Sequence, residues 1–116
     1  MADSSVEKPW GFYHVLARGD GWLTKLIEVE PNQRLSHQRH SLRSEYWVVV
    51  AGMAKMELNG RVMVLQEGDD VSILRGDWHR VQACESGCTI IETQYGVCDE
   101  NDIVRKEDDY GREDPK

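Results

Sequence analysis

The 116 residues predict an all-β fold, and three observations carry that reading. Short β-branched and aromatic runs alternate apolar with polar residues. Turn signals interrupt them at intervals of roughly eight to twelve residues. No stretch shows a sustained 3.6-residue repeat. Residues 22–30, WLTKLIEVE, alternate and stop at the turn signal Pro31-Asn32. Residues 45–50, EYWVVV, form the next strand and stop at Ala51-Gly52. MAKMEL (53–58) and RVMVL (61–65) flank Asn59-Gly60, a pair suited to a two-residue type I′ hairpin because both residues accept positive φ. A turn at residues 67–70 precedes VSIL (71–74). Arg75-Gly76-Asp77 precedes WHRVQA (78–83), and Glu85-Ser86-Gly87 leads into CTIIETQY (88–95). A short helix near 99–106 stays open. The sum is one small β-sandwich or barrel.

Composition sets the boundaries. Forty per cent hydrophobic and thirty per cent charged residues fit a single soluble domain. We expect a loose arm over residues 1–8, a barrel over 9–105, and a tail over 106–116, where KEDDYGREDPK has a tail's composition. No apolar run reaches membrane-spanning length, and MADSSVEKPWGFY has no signal-peptide hydrophobic region, so a cytoplasmic setting is the expectation. A net charge of -7 argues against nucleic acid or anionic lipid as partner. Cys84, Cys88 and Cys98 are odd in number and form no CxxC pair, which reads as reduced thiols.

The segment QRHSLRSEYWVVVAG (38–52) sets titratable side chains directly against an apolar run that should be buried. On a strand, residues two apart share a face, so Gln38 and His40 can converge while His37 faces away. Glu45 lies an odd number of residues from His40 and needs a turn or bulge between them, which residues 41–44 could supply. His79 follows a glycine turn as a second, separate candidate ligand. Taken singly, each of these is as well read as a hydrogen-bonded or solvated residue.

The spacing resembles the cupin family of small β-barrels. Asn32, Gln38, His40, Glu45 and Gly52 fall on its first motif, with Asn32 and Gln38 replacing a glycine and a histidine. Gly68, Gly76 and His79 fall on its second, where Leu74 and Ala83 replace a proline and an asparagine. The resemblance implies a cupin-type double-stranded β-helix, the jelly-roll barrel. Within the cupins, the chain is similar to the C-terminal isomerase domain of type II mannose-6-phosphate isomerases. Lys8-Pro9-Trp10-Gly11 resembles that family's Arg-Pro-Trp-Gly opening. Residues 38–52 match its Gln-x-His-x-x-Arg-x-Glu-x-Trp-x-Val-Val-x-Gly, and 91–96 resemble its Ile-Glu-Val-Gln-x-Gly. Residues 102–112 match its Asp-Ile-x-Arg-x-Glu-Asp-x-Tyr-Gly-Arg in full. The likeness spans about residues 8–112 and leaves no room for the nucleotidyltransferase domain of bifunctional members.

This resemblance implies one divalent metal ion held by Gln38, His40, Glu45 and His79. Zinc is the first choice, with manganese, cobalt, nickel or magnesium as alternatives. Two imidazoles, an amide oxygen and one carboxylate leave such an ion with about one positive charge, which suits a Lewis acid. The implied reaction interconverts mannose 6-phosphate and fructose 6-phosphate through an enediolate, which requires a base near both carbons. Glu92, amid TIIETQ, is the first candidate, since burial would raise its pKa; a barrel-lining structural Glu is the alternative. Lys25 is the second, since a partly buried lysine loses pKa readily; a solvent-facing lysine is its alternative. Arg112, counted with the catalytic set, and Arg105 would hold the phosphate, with Arg43 and Arg80 in reserve. Trp10, Trp47 and Trp78 could stack on a sugar, with core packing the favoured alternative for Trp47 at least. Two rival readings remain: a non-catalytic cupin binding a sugar or other small ligand, and another cupin enzyme such as an epimerase or lyase. A homodimer is expected by analogy.

Overall fold

A computed structural model describes residues 5–112. Among them are nine strands: β1 (Val6–Lys8), β2 (Gly11–Gly19), β3 (Trp22–Val29), β4 (His37–Arg39), β5 (Arg43–Leu58), β6 (Arg61–Gln66), β7 (Asp70–Ile73), β8 (His79–Gly96) and β9 (Val104–Glu107). No described residue is helical, and residues 99–101, open to a short helix on sequence, form a turn region. No helix is therefore long and apolar enough to cross a membrane.

Two long strands organise everything else. The first half of β5 pairs with β7 and with the second half of β8, which in turn pairs with β3; β2 and β1 follow outward. The second half of β5 pairs with β6 and with the first half of β8, which continues to β4 and β9. β5 and β8 thus belong to two sheets at once and bend between them. The sequence reading ended strands at Ala51-Gly52 and broke them at Glu85-Ser86-Gly87; both strands run through. The bend lies where β5 shifts register around Gly52. Gly52 has φ +78, and a Cβ there would stand 2.2 Å from the Gly87 carbonyl oxygen, so the two backbones approach as closely as glycine permits. The Asn59-Gly60 hairpin is as expected, with φ of +48 and +83.

Alternation places Glu45, Trp47 and Val49 of β5, Ile90, Glu92 and Gln94 of β8, and Lys25 and Ile27 of β3 on the inner face, all buried. Register turns this into layers. Leu23, Gln94 and Glu45 form one cross-strand row, Lys25, Glu92 and Trp47 the next, and Ile27, Ile90 and Val49 the third. The inside is therefore apolar through one part of its length, where Val81, Ala83, Met56 and Leu65 join the core, and polar through the rest.

Strands reach into both expected flanks. Val6–Lys8 is β1, and Val104–Glu107 crosses into the expected tail as β9, alongside β4. Beyond it, Tyr110 packs against the core. The charges that suggested a tail find partners: Asp109 with Arg34 and Arg80, and Asp108 with Arg112. Residues 1–4 of the arm and 113–116 of the tail lie outside the described residues. All three cysteines are free thiols, and burial pushes Cys88 up to about 12.

Candidate metal centre

Glu45, buried on β5, is the centre of the polar half. Its Oε2 lies 3.3 Å from His40 Nε2, and its Oε1 3.9 Å from His79 Nε2. Ligand atoms of the three side chains all fall within 4.8 Å of one another. Both histidines are oriented from behind: His40 Nδ1 sits 2.7 Å from the Asp102 carbonyl oxygen, and His79 Nδ1 3.0 Å from that of Asp77. A carbonyl can only accept, so each Nδ1 carries the proton and each Nε2 turns a lone pair toward Glu45. Burial drives His40 down to about 4 and His79 in the same direction, against the pull of Glu45, so both imidazoles are neutral. Burial works against charge on Glu45 too, yet its carboxyl is held below the usual range, and with both imidazoles neutral the permanent charge that holds it there is the Arg43 guanidinium.

Arg43 Nε donates to Glu45 Oε2 (2.8 Å), Trp47 Nε1 to Glu45 Oε1 (2.8 Å), and Arg43 Nη2 to His40 Nε2 (3.3 Å). The Arg43 guanidinium thus bridges two of the three clustered residues, Glu45 and His40. Gln38 lines the same cavity and pairs in register with His79. Its amide nitrogen donates to Ser36 Oγ (3.1 Å), which leaves the carbonyl oxygen as the atom to offer a metal. Two neutral imidazoles, a carboxylate and an amide oxygen fit a divalent ion. The bend that brings Glu45 onto the face of His40 is the turn at residues 41–42, where the Asp102 carboxylate accepts the Ser41 and Leu42 amides (2.9 and 2.8 Å).

Glu92 borders the same cavity, wholly enclosed, and accepts from Gln94 Nε2 at 2.6 Å. Burial, reinforced by the charge of Glu45, pushes it up to about 7, which Lys25 and Arg43 only partly offset. Lys25 requires a correction. Burial does push its ammonium down, but Glu92 and Glu100 outweigh it and leave the pKa raised. Its Nζ donates to Glu100 Oε2 at 2.9 Å and stands 4.0 Å from the centre of the Tyr13 ring. Lys25 is therefore a held cation rather than a base.

Arg105 and Arg112 line the cavity, Arg112 sharing its Nε and Nη2 with Asp108 (2.8 and 3.1 Å). Arg43 also lines it, but its nitrogens serve Glu45, His40 and the Asp99 carbonyl, so it braces the ligands. Arg80 is not brought in. It follows the inward His79 and so points outward, donating to the Leu35 carbonyl and pairing with Asp109. Trp10 and Trp47 line the cavity, whereas Trp78 lies elsewhere, beneath Arg39 and Lys106. His37 stands apart from the ligands, as strand alternation expects, between Glu57 and Glu107 at 3.8 and 3.6 Å. Sequence reasoning missed Lys8, Tyr13 and Glu100 as lining residues. Lys8 carried a signal through its place in Lys8-Pro9-Trp10-Gly11; Glu100 carried none, since its partner lies 75 residues away.

The family model for the mannose-6-phosphate isomerase C-terminal domain matches residues 1–108. The mannose-1-phosphate guanylyltransferase ManC of Salmonella typhimurium is 39% identical over 109 residues, covering 92% of this chain and 23% of that protein. The chain thus spans about a quarter of the length of this curated relative. Among solved structures, KdgF from Halomonas sp. superposes with a TM-score of 0.79 at 17% identity, over 84% of this chain and 90% of the other. An RmlC-like cupin from Shewanella frigidimarina gives 0.75 at 18% identity, over 85% and 87%. At those identities the structural likeness establishes the double-stranded β-helix. With that fold and a match across nearly its whole length, the chain belongs to the mannose-6-phosphate isomerase C-terminal family of cupins.

Proposed function

We propose that the chain is a metal-dependent aldose-ketose isomerase interconverting mannose 6-phosphate and fructose 6-phosphate. The observation that carries this reading is the pairing of a ligand cluster with a second buried carboxyl of opposite character. His40, Glu45 and His79 converge as neutral imidazoles around a carboxylate, while Glu92, in the same cavity, is held near neutrality. Gln38, His40, Glu45 and His79 would hold the metal, zinc by first choice. Bound there, the ion would supply charge stabilisation for the enediolate oxygens.

The chain's own groups do the rest. Glu92 takes the carbon-bound proton and returns it to the neighbouring carbon; a pKa of about 7 gives it both protonation states at neutral pH. Lys25, in register beside it, keeps a positive charge against the anionic intermediate. Arg105 and Arg112 take the phosphate, and Trp10 and Trp47 wall off water. The test is an assay coupling fructose 6-phosphate formation from mannose 6-phosphate to a spectroscopic readout, with and without chelator. Turnover that disappears on chelation and returns with zinc is expected; no turnover from metal-loaded chain overturns the reading.

A further inference from the structure

The cavity holds more positive charge than its ligands and base account for. Lys8, Lys25, Arg43, Arg105 and Arg112 line it, against Glu45, Glu92 and Glu100. Arg43 braces Glu45, and Arg112 leans on Asp108. Lys8 is different. Burial lowers its pKa, and Arg112, Arg105 and Lys25 act on it as like charges, with Glu100 pulling the other way. Five cations against three carboxylates leave a surplus of positive charge, a cradle for a multiply charged anion.

Glu100 enters this cradle from outside. Its side chain is 52% exposed, while that of its partner Lys25 is 6% exposed. The backbone beneath it is pinned: the Asp102 amide donates to the Asp99 carbonyl (3.0 Å), the Asn101 amide to Asp99 Oδ1 (2.9 Å), and the Asp102 carbonyl holds His40. The turn cannot shift without disturbing a ligand histidine. The Glu100 side chain can rotate into water by its own torsions alone, giving up its ion pair with Lys25 and a longer one with Arg43 (3.9 Å).

We infer that the Glu100 carboxylate occupies the place of the substrate's phosphate, and that a sugar phosphate binds by displacing it from Lys25, its oxygens taken up by Lys8 and Lys25 together with Arg105 and Arg112. The identity of the sugar rests on the isomerase reading; the anion site does not. Glu100 then acts as a filter. A dianion brings more charge to the cradle than the carboxylate it replaces, whereas an unphosphorylated sugar brings none and leaves Glu100 in place.

Calorimetric titration of inorganic phosphate into the chelator-treated chain, at mildly alkaline pH, tests this without any turnover. Glu100→Gln is expected to bind phosphate about tenfold more tightly than wild type, and Lys8→Gln about tenfold more weakly. Glu100 is half-exposed and Lys8 part-buried, and unchanged thermal unfolding will show that each variant folds. Phosphate affinity that stays level or falls in Glu100→Gln overturns the inference, as does a Lys8→Gln variant that binds like wild type. Phosphate binding with the expected variant responses, in a chain that fails to turn over mannose 6-phosphate, upholds the anion site and removes the isomerase reading. Turnover with phosphate affinity indifferent to Glu100→Gln does the reverse.

Discussion

Glu45 and Glu92 sit on neighbouring strands of one sheet, face the same interior and are each 3% exposed, yet they are opposite in character. Burial opposes charge on both. Around Glu45 it is outweighed by the Arg43 guanidinium, with direct donors from Arg43 and Trp47, and the carboxyl stays ionised. Around Glu92, burial and the charge of Glu45 prevail over Lys25 and Arg43, and its donor is a neutral amide, Gln94. Residue type and depth are the same; the donors differ. In the proposed function, that difference is what assigns Glu45 to the metal and Glu92 to the proton.

The largest effect is expected at the ligand end. His79→Ala removes one of the two imidazoles from the cluster and leaves Glu45 with His40 alone as a fellow ligand there. Zinc retained after dialysis, measured by elemental analysis, should fall to background, and isomerase activity with it. A variant that keeps a full equivalent of metal would break the comparison outright.

Next comes Glu92→Gln, which preserves shape while abolishing proton transfer. Zinc content should hold, and kcat should fall by about a hundredfold or more. The same substitution has a consequence for stability. The folded chain keeps a proton on Glu92 between about 4.5, the ordinary value, and about 7, while the unfolded chain has released it. Wild-type stability therefore falls as pH rises through that window, by up to a few kcal/mol. Glu92→Gln should unfold at a higher temperature than wild type at pH 8 and at a similar one at pH 4. An unchanged difference between the two pH values would show that Glu92 titrates normally.

A smaller effect is the acidic limb of the rate profile. Activity that needs ionised Glu92 should decline as pH drops through about 7. The limb should be seen in kcat/KM, well above the pH at which His40, at about 4, gains its proton. The smallest effect is expected at Arg80→Ala, on the outer face, with rate constants within about twofold of wild type. A large loss there would mean that the cavity's cations extend further than its walls.

How much of this was legible in the sequence depended on how local each cause was. Strand periodicity and the Asn59-Gly60 turn are properties of neighbouring residues and could be read directly. Ala51-Gly52 and Glu85-Ser86-Gly87 were misread because a glycine that ends a strand and a glycine that lets a long strand bend past its neighbour look alike in one dimension. The convergence of His40, Glu45 and His79 was legible through motif spacing, and the burial of Glu92 through its place in an apolar strand. Lys25 was placed correctly but given the wrong character, because its charge is decided by Glu92 and Glu100, both far away in sequence. Arg80 beside His79 looked close to the chemistry; adjacency on a strand puts it on the opposite side.

The short strand β4 has one further consequence. Its three residues include Gln38, and it is flanked by β8 on one side and β9 on the other, with Gln38 opposite both His79 and Arg105. Val104–Glu107 therefore acts as a splint for the amide that would complete the coordination sphere. A stop codon or protease cut upstream of that splint would be felt first as leakage of the ion, before any general unfolding of the barrel.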